Sequence, residues 1–282
     1  MKPLNWLILF VVGLLPIAGL VWTFQTDPHL AVPEDSKNSW IDPLTAIIFV
    51  YVSPSCEAGQ APCPPPLWIG RHEITNQQFQ RFRQSHSSRN YRNQPLDTPL
   101  QPVAYVSWEE AHAFGEWLTQ QHSGRYRFRL PTSKEWQQVC ETKETQSWKT
   151  AEQACQWASV SDEVAATSFG WSHPTHPCND NFTVSAPVGS FPANAHNLYD
   201  VLGNLAEWTS EKAALPNSAE QGYITRGGSW FSPPDQISCK FQEAFSALTS
   251  DPRIGFRLVA EGLPTPEPVS YTHLRAHETG YN

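Results

Sequence analysis

The chain has 282 residues, of which 40% are hydrophobic and 16% are charged, a composition that excludes an intrinsically disordered protein and a polytopic membrane protein. Its net charge of −8 argues against a nucleic-acid partner, because no basic stripe is present to neutralise phosphates. The 12 Trp, 25 Pro and 15 Gly residues indicate a loop-rich fold held together by aromatic side chains.

Residues 1–24 predict an N-terminal transmembrane anchor. An apolar run extends from Leu4 to Phe24, and at about 1.5 Å per helical residue it is long enough to cross a bilayer. Lys2 precedes the run and acidic residues follow it, so we expect a cytoplasmic N-terminus and a polar spacer at 25–40. A cleaved signal peptide is the alternative. Either way the remaining domain lies in the periplasm or outside the cell.

The six cysteines are interpreted in the light of this export. In an oxidising compartment an even number predicts structural disulfides, with a reactive thiol or a metal ligand as the alternative. Sequence alone does not fix the connectivity. Short spacings favour two of the pairs and leave the third as a long-range link: Cys56–Cys63, Cys140–Cys155 and Cys178–Cys239.

Residues 41–260 carry the pattern of one domain. The apolar runs 47–52 and 67–69 predict buried strands. Three capping boxes then predict short helices whose aromatic residues belong to the core. These boxes pair Thr75 with Gln78, Ser107 with Glu110, and Thr132 with Glu135.

Two further segments lack regular periodicity. Residues 141–192 are rich in Ser, Thr, Asn, His and Pro and predict an irregular loop. Residues 261–282 begin with a proline-rich stretch and continue without an apolar pattern. We therefore expect a disordered or non-native tail there.

Six short motifs follow one another through the domain. They are 73–76 (EITN), 102–108 (PVAYVSW), 129–136 (RLPTSKEW), 197–208 (NLYDVLGNLAEW), 226–230 (RGGSW) and 255–257 (GFR). In this order they resemble the sulfatase-modifying-factor (formylglycine-generating enzyme) family. The resemblance implies an α+β fold, an irregular C-type-lectin-like arrangement with short helices and small mixed sheets.

The resemblance also implies a chemistry that this chain does not match. Members of the family convert a substrate cysteine to formylglycine with copper held by two cysteines, the third residue after the Ser of the GGS motif and the fifth after that. Counting from Ser229, these positions hold Ser232 and Ile237, and Cys239 lies nearby without a cysteine neighbour. Copper(I) prefers thiolates. We therefore expect a divergent member without the catalytic cysteine pair and without copper.

Calcium is the cofactor that the resemblance does imply. Carboxylates and backbone carbonyls are the hard oxygen ligands that Ca²⁺ requires. The alternative for Glu207 is that it caps a turn or pairs with an arginine. The implied ligands are Asp200, Glu207 and the carbonyls of Gly203 and Leu205 at one site, and Asp180 with the carbonyl of Phe182 at a second.

The expected function is a noncatalytic binding or scaffold module. Ser229, Trp230 and Phe231 would line its groove, and the ligand would be a peptide, a glycan or an envelope protein. This expectation follows from family analogy and from the missing cysteine pair. The alternatives are a formylglycine-generating oxidase or another periplasmic oxidase of the family, and a structural component of an envelope complex.

Overall fold

A computed structural model describes residues 38–53, 65–143, 145, 150–215 and 220–266. The predicted anchor at 1–24, most of the spacer, the pair Cys56–Cys63 and the tail beyond residue 266 lie outside these residues. Within the described ranges, no helix is both long enough and apolar enough to span a membrane.

The described residues form short strands and short helices joined by long connections. The strands are β1 (Ser39–Ile41), β2 (Ile48–Val52), β3 (Leu67–Gly70), β4 (Asn90–Tyr91), β5 (Gln94–Pro95), β6 (Arg127–Arg129), β7 (Ala206–Ala214), β8 (Gln221–Arg226), β9 (Gln242–Phe245), β10 (Ile254–Gly255) and β11 (Val259–Glu261). The helices are α1 (Asn76–Phe79), α2 (Trp108–Gln121), α3 (Ser133–Cys140) and α4 (Glu163–Phe169), with 3-10 helices at Ala151–Gln156 and Pro234–Gln236.

Two main sheets organise these strands. The first is antiparallel and has the strand order β1-β2-β3-β11-β6. The second has the order β10-β7-β8-β9, and its β10 and β7 strands are parallel. Strands β4 and β5 form a separate hairpin. The prediction of short helices and small mixed sheets is confirmed.

The helices begin where the sequence predicts them. At each of the three capping boxes, the first hydroxyl accepts from the backbone amide three residues on, and that residue's side chain accepts from the first amide. Each such cap stabilises a helix start by about 1 kcal/mol. Behind the caps, Phe79, Phe114 and Trp136 are fully buried, as the helical spacing predicts.

The main core lies between the five-stranded sheet and α2. Phe49, Phe128 and Phe256 are fully buried there. Gly115 of α2 allows the close approach, since a Cβ at this position would lie 2.8 Å from the carbonyl oxygen of Phe128. The core extends slightly beyond residues 41–260 at its C-terminal end, where Leu263 is buried.

The segment predicted to be an irregular loop contains helical structure. It holds the 3-10 helix Ala151–Gln156 and also α4. The Asp162 carboxylate accepts from the Ala165 amide at 2.7 Å, and Gly170 ends the helix in the left-handed conformation. An N-cap aspartate and a C-terminal glycine are recognisable signals, but α4 is only seven residues long and the polar residues around it obscure its periodicity.

The described disulfides differ from the predicted pairing. Cys140 is bonded to Cys239 and Cys155 to Cys178, with Cα–Cα distances of 5.6 and 6.0 Å. The predicted pairs Cys140–Cys155 and Cys178–Cys239 are therefore wrong. The reason is tertiary: α3 packs against β8, which places Cys140 beside the segment after β8. Short sequence spacing is no measure of distance in so irregular a segment.

Candidate binding cleft and buried ionic centre

The cleft begins at a tight turn after β8. Gly227 and Gly228 have φ angles of 93° and 69°, a backbone region that side chains rarely tolerate. A Cβ on Gly228 would lie 2.7 Å from both the carbonyl oxygen of Gln236 and a methyl group of Ile237. The glycine pair therefore lets the turn lie directly against the segment that follows it.

The two positions assigned to copper ligands have structural roles. The Ser232 hydroxyl accepts from the Ser229 amide at 3.0 Å, and the Ser232 amide donates to the Ser229 carbonyl at 2.9 Å. Ile237 is buried in the second hydrophobic cluster. One residue closes a turn and the other fills the core, so neither offers the soft ligand that copper(I) prefers.

Cys239 does not supply a substitute thiol. Its sulfur is bonded to Cys140, and its carbonyl accepts from Arg226 at 3.1 Å. The described part of the chain holds no free cysteine. The donor set at this place does not fit copper.

A cavity of about 260 Å³ lies beside the turn. Of the three residues expected in the groove, Ser229 and Phe231 line this cavity and Trp230 does not. The Trp230 side chain is 1% exposed and packs against Tyr91 and Trp171. The placement of Trp230 in the groove is thus corrected, because its ring is buried inside an aromatic cluster, whereas Phe231 packs on that cluster and stays partly exposed. Other lining residues include His173, Ser232, Phe241, Glu243, Phe245 and Arg253.

The cleft is lined by an arginine, a glutamate and a histidine. Arg253 lies over the Phe231 ring at 5.2 Å, and the two hydrogen bonds that its guanidinium donates to the Asp251 carboxylate raise its pKa. Burial lowers the pKa of His173, whose Nε2 lies 2.9 Å from the Ser161 hydroxyl. Burial also raises the pKa of Glu243.

The hydroxyl of Ser229 makes its hydrogen bonds within the turn. The Ser229 hydroxyl accepts from the Phe231 amide at 3.3 Å and lies 3.4 Å from the Ser232 hydroxyl. A nucleophilic serine needs a base within hydrogen-bonding reach, and none contacts this hydroxyl in the part of the chain that the structure describes. The cleft offers hydrogen bonds, an aromatic ring and charges, which are the means of recognition.

A fully buried ionic centre lies on the other side of β7. Both oxygens of Glu207 accept from Arg257, and one also accepts from the Trp136 indole at 2.7 Å. Arg257 in addition donates to the carbonyl oxygens of Gly70 and Tyr199, at 3.1 and 2.9 Å. Glu207 therefore pairs with an arginine, which is the alternative role expected for it from the sequence.

Two more carboxylates share this centre. Glu73 accepts from the Asn204 side chain at 2.6 Å and from the Leu205 amide at 2.8 Å. One oxygen of Asp200 accepts from the Gly189 amide at 2.6 Å, while the other is buried without a hydrogen-bond partner among the described atoms. Burial raises the pKa of Asp200 to about 6 and that of Glu73 well above its usual value.

Three carboxylates therefore face one guanidinium. The sequence alone does not assign Glu73 or Arg257 to this centre. Both residues stand in the recognised motifs 73–76 and 255–257. An ionisable side chain beside an apolar residue inside each motif is the signal that could identify them, since buried charges are paired. The partner of each could not be read from the sequence.

The calcium ligands assemble only in part. The excess negative charge and the orphaned oxygen of Asp200 suit a divalent cation, but both oxygens of Glu207 are occupied by donors. At the second site, Asp180 accepts from the amides of Val160 and Phe182 at 2.8 and 2.7 Å, and burial raises its pKa to about 7. In the described ranges, no group of three or more His, Cys, Asp or Glu is arranged so that it could hold a metal ion. Calcium stays a prediction that rests on Asp200.

A protein-family model and several known proteins are similar in sequence to this chain. The model of the sulfatase-modifying factor enzyme 1-like domain matches residues 58–262. The formylglycine-generating enzyme of Bos taurus is 29% identical over 190 residues, which cover 60% of this chain and 46% of that protein. The inactive C-alpha-formylglycine-generating enzyme 2 of Bos taurus is 29% identical over 137 residues, covering 48% of this chain and 39% of that protein.

Solved structures agree with this at the level of the fold. PvdO from Pseudomonas aeruginosa has a TM-score of 0.57 at 17% identity, covering 79% of this chain and 97% of that one. Treponema denticola variable protein 1 has a TM-score of 0.59 at 17% identity, covering 78% and 98%. The predicted irregular C-type-lectin-like arrangement is confirmed. The chain spans less than half the length of the bovine proteins it matches.

Proposed function

The chain belongs to the sulfatase-modifying factor enzyme 1-like family, and from that membership we propose that it is a noncatalytic binding module. The N-terminal anchor would hold it at the membrane, with the domain in the periplasm or outside the cell. Its cleft beside the Gly227–Gly228 turn would be the binding surface. The family contains both formylglycine-generating enzymes and an inactive relative, so membership alone does not decide activity.

The observation that carries the proposal is the state of Cys239. In a copper-dependent oxidation of a substrate thiol, the metal needs thiolate ligands at the cleft. Cys239 is bonded to Cys140, and Ser232 is engaged in a backbone turn. What remains at the cleft is a set of polar and aromatic groups without a redox centre of its own.

An extended polypeptide is the ligand class that suits this cleft. Strand β9 is an edge strand that pairs with β8 alone in the described sheet. Phe241, Glu243 and Phe245 follow this strand along the cavity. An edge strand offers backbone groups to a polypeptide, and adjacent pockets then select its side chains.

The chain's own residues keep the cleft in shape. The disulfide of Cys239 holds the segment after the turn against α3. Asp251 fixes the guanidinium of Arg253 over the Phe231 ring. A binding surface that is already ordered loses less conformational entropy when the ligand arrives.

Calcium would have a structural role at the ionic centre. Asp200 would hold it through its unpartnered oxygen, with the carbonyls of Gly203 and Leu205 as the other expected ligands. The ion would offset the excess of buried carboxylates. Its site is separate from the cleft chemistry, so we assign it to stability and not to catalysis.

Peptide selection tests the proposal. Random peptides displayed on phage would be selected against the detergent-solubilised full chain, and their affinities measured by fluorescence anisotropy. We expect enriched peptides whose affinity falls at least tenfold in Phe231→Ala and is unchanged in Leu44→Ala, an exposed position away from the cleft lining. A failure of every selected peptide to depend on Phe231 would contradict the proposal.

A further inference from the structure

The turn between β1 and β2 exposes apolar side chains and buries polar ones. Asp42 is 0% and Thr45 is 4% exposed. Polar residues are mostly exposed in proteins and large aliphatic residues are mostly buried, so this distribution is the reverse of the usual one. We call the exposed residues the apolar turn. They are Ile41, Pro43, Leu44 and Ala46.

Hydrogen bonds hold the polar residues of this turn inside. One oxygen of the Asp42 carboxylate accepts from the Thr45 amide at 2.7 Å and from the Thr45 hydroxyl. The other oxygen lies 2.6 Å from Nε2 of His122, at the end of α2. The Asp42 amide donates to the carbonyl oxygen of Ile47 at 2.9 Å, and the Ala46 amide donates to that of Asp42 at 2.8 Å. Turning the apolar side chains inward would break these bonds.

Two of the four large hydrophobic side chains that are exposed in the described ranges belong to the apolar turn. They are Ile41, at 38%, and Leu44, at 42%. The other two, Val164 and Leu248, stand in separate segments. Single exposed aliphatic residues are ordinary on a protein surface, whereas neighbouring ones mark a surface that contacts a protein or a membrane.

The segment that follows α2 adds two aromatic rings and a cation beside the turn. The ring of Trp40 lies 5.4 Å from that of Tyr126, and the guanidinium of Arg125 lies 5.2 Å from the centre of the Tyr126 ring. Both rings are partly exposed. Trp and Tyr are enriched where a membrane meets water, and a nearby cation is attracted to anionic lipid headgroups.

The acidic residues near the turn leave this cation uncompensated. Asp42 is the acidic residue of 38–47, and it is buried and engaged. Glu116 is the last acidic residue of α2 and precedes the end of the helix by about 9 Å. Glu261 pairs with two arginines of β6. Arg125 is exposed and takes part in none of the ion pairs of the described residues.

The chain enters the domain close to this turn. Asn38 directly precedes β1, and a strand of three residues spans about 10 Å. Residues 25–37 lead back from Asn38 to the apolar run at 4–24, and they reach at most about 45 Å when fully extended. The proposed anchor would therefore confine the turn near the bilayer, and such confinement strengthens a contact that is weak by itself.

The size of the turn distinguishes between occupants. A stable contact with a soluble protein or a second copy buries about 800 Å² on each partner, more than two half-exposed aliphatic side chains and their neighbours provide. A membrane-tethered domain needs no such area, because its docking is intramolecular. The apolar side chains, the two rings and the cation together match the layers of a lipid surface.

We propose that the apolar turn docks on the anionic lipid surface of the membrane that anchors the domain. Ile41 and Leu44 enter the interfacial layer. Trp40 and Tyr126 lie at the level of the headgroups, and Arg125 pairs with a lipid phosphate. The proposal rests on the anchor in the proposed function, and it uses residues that do not line the cleft.

A fluorescent label beside the turn tests the proposal on the full chain in lipid vesicles. Ala46→Cys carries an environment-sensitive fluorophore, and vesicles of phosphatidylcholine and phosphatidylglycerol contain a spin-labelled lipid as quencher. We expect at least twofold quenching. The control label is at Leu248→Cys, close to the start of α2, where the Glu109 amide donates to the Ala247 carbonyl oxygen. The 14 residues of α2 span about 21 Å, so this label should stay bright. The parent chain, treated in parallel without reductant, reports any labelling of native cysteines.

Substitutions at the turn should remove the quenching of the label at position 46. We expect this for the double variant Ile41→Ser, Leu44→Ser, whereas Val164→Ser, Leu248→Ser, which removes exposed aliphatic side chains elsewhere, keeps it. Arg125→Gln should lower the quenching in anionic vesicles and leave it unchanged in pure phosphatidylcholine, and Arg125→Lys should retain it. Melting curves show whether each variant is folded.

Several results would overturn the proposal. They are a label at position 46 that is not quenched, equal quenching at position 248, and quenching that survives the loss of Ile41 and Leu44. A label that is already shielded from water in detergent would assign the turn to another segment of this chain. Energy transfer between labelled chains in place of lipid quenching would assign it to a second copy.

The docking and the anchor fail in distinguishable ways. If alkaline carbonate strips the chain from the vesicles although the label is quenched at neutral pH, the anchor fails and the docking stands. If the chain resists extraction and the label is not quenched, the docking fails and the anchor stands. Neither result changes the cleft proposal, which peptide selection tests.

Discussion

Cys239 is bonded to Cys140 across a sequence separation of 99 residues, and this bond fixes the chemical character of the cleft. It joins the end of α3 to the segment that forms one wall of the cavity. The cysteine nearest to the expected copper positions is therefore part of the scaffold.

Removal of the disulfides should destabilise the fold in a defined order. The double variant Cys140→Ser, Cys239→Ser opens a loop of 99 residues and should lower the free energy of unfolding by about 5 kcal/mol. Cys155→Ser, Cys178→Ser opens a loop of 23 residues and should cost about 3 kcal/mol. Urea denaturation measures both. The reverse order would show that loop entropy does not govern these bonds.

The ionic centre should be sensitive to the loss of the Arg257 guanidinium. Arg257→Met leaves Glu207, Glu73 and Asp200 buried without it, and breaking such a pair costs about 3–5 kcal/mol. Arg127→Gln is the control, because its pair with Glu261 is largely exposed and such pairs contribute about 0–1 kcal/mol. Denaturant unfolding should separate the two variants clearly. Similar small losses would contradict the role of the centre.

Calcium removal should lower the melting temperature. An ion that binds only the native state stabilises it by mass action, so excess chelator should reduce the thermal midpoint and added calcium should restore it. Asp200→Asn should abolish this response, whereas Asp235→Asn, at an exposed carboxylate, should keep it. A thermal midpoint that does not change with chelator would contradict the proposed calcium site.

His176 should make the fold less stable in mild acid. It is 2% exposed, and burial lowers the pKa of its ring, which lies 3.2 Å from the Ser161 carbonyl oxygen. Because the folded pKa lies below the unfolded value of about 6.5, the unfolded chain binds more protons in that window. Stability therefore falls as the pH is lowered from about 6.5 to the folded pKa.

Two variants isolate this histidine. In His176→Gln the loss of stability across that pH window should become smaller, while in His112→Gln, at an exposed histidine, it should match the parent chain. Denaturant midpoints at several pH values provide the measurement. An unchanged slope in His176→Gln would show that this residue is not the titrating group.

Local features of the fold could be predicted from sequence. The capping box at Ser107 and Glu110 is encoded within four residues, and the helix α2 begins there. The buried strand β2 follows from an uninterrupted apolar run. In both cases the controlling interactions lie between neighbours in the chain, so the pattern is visible without knowledge of the tertiary structure.

The site could not be predicted in the same way, because it is built from contacts between residues far apart in the sequence. Glu207 and Arg257 are 50 residues apart, and only the parallel pairing of β10 with β7 brings their segments together. The partner of Cys239 likewise depends on the packing of α3 against β8. The position of Trp230 between Ser229 and Phe231 predicts that it lines the groove, but its side chain is buried in the core.

An aldehyde assay tests whether this chain lacks copper-dependent oxidation of a substrate cysteine. The detergent-solubilised chain would be incubated with copper, oxygen and a Cys-x-Pro-x-Arg peptide, with the bovine formylglycine-generating enzyme as the positive control. Mass spectrometry follows conversion of the peptide cysteine to formylglycine. We expect conversion by the control enzyme and none by this chain. Aldehyde formation that disappears in Cys239→Ala would contradict it.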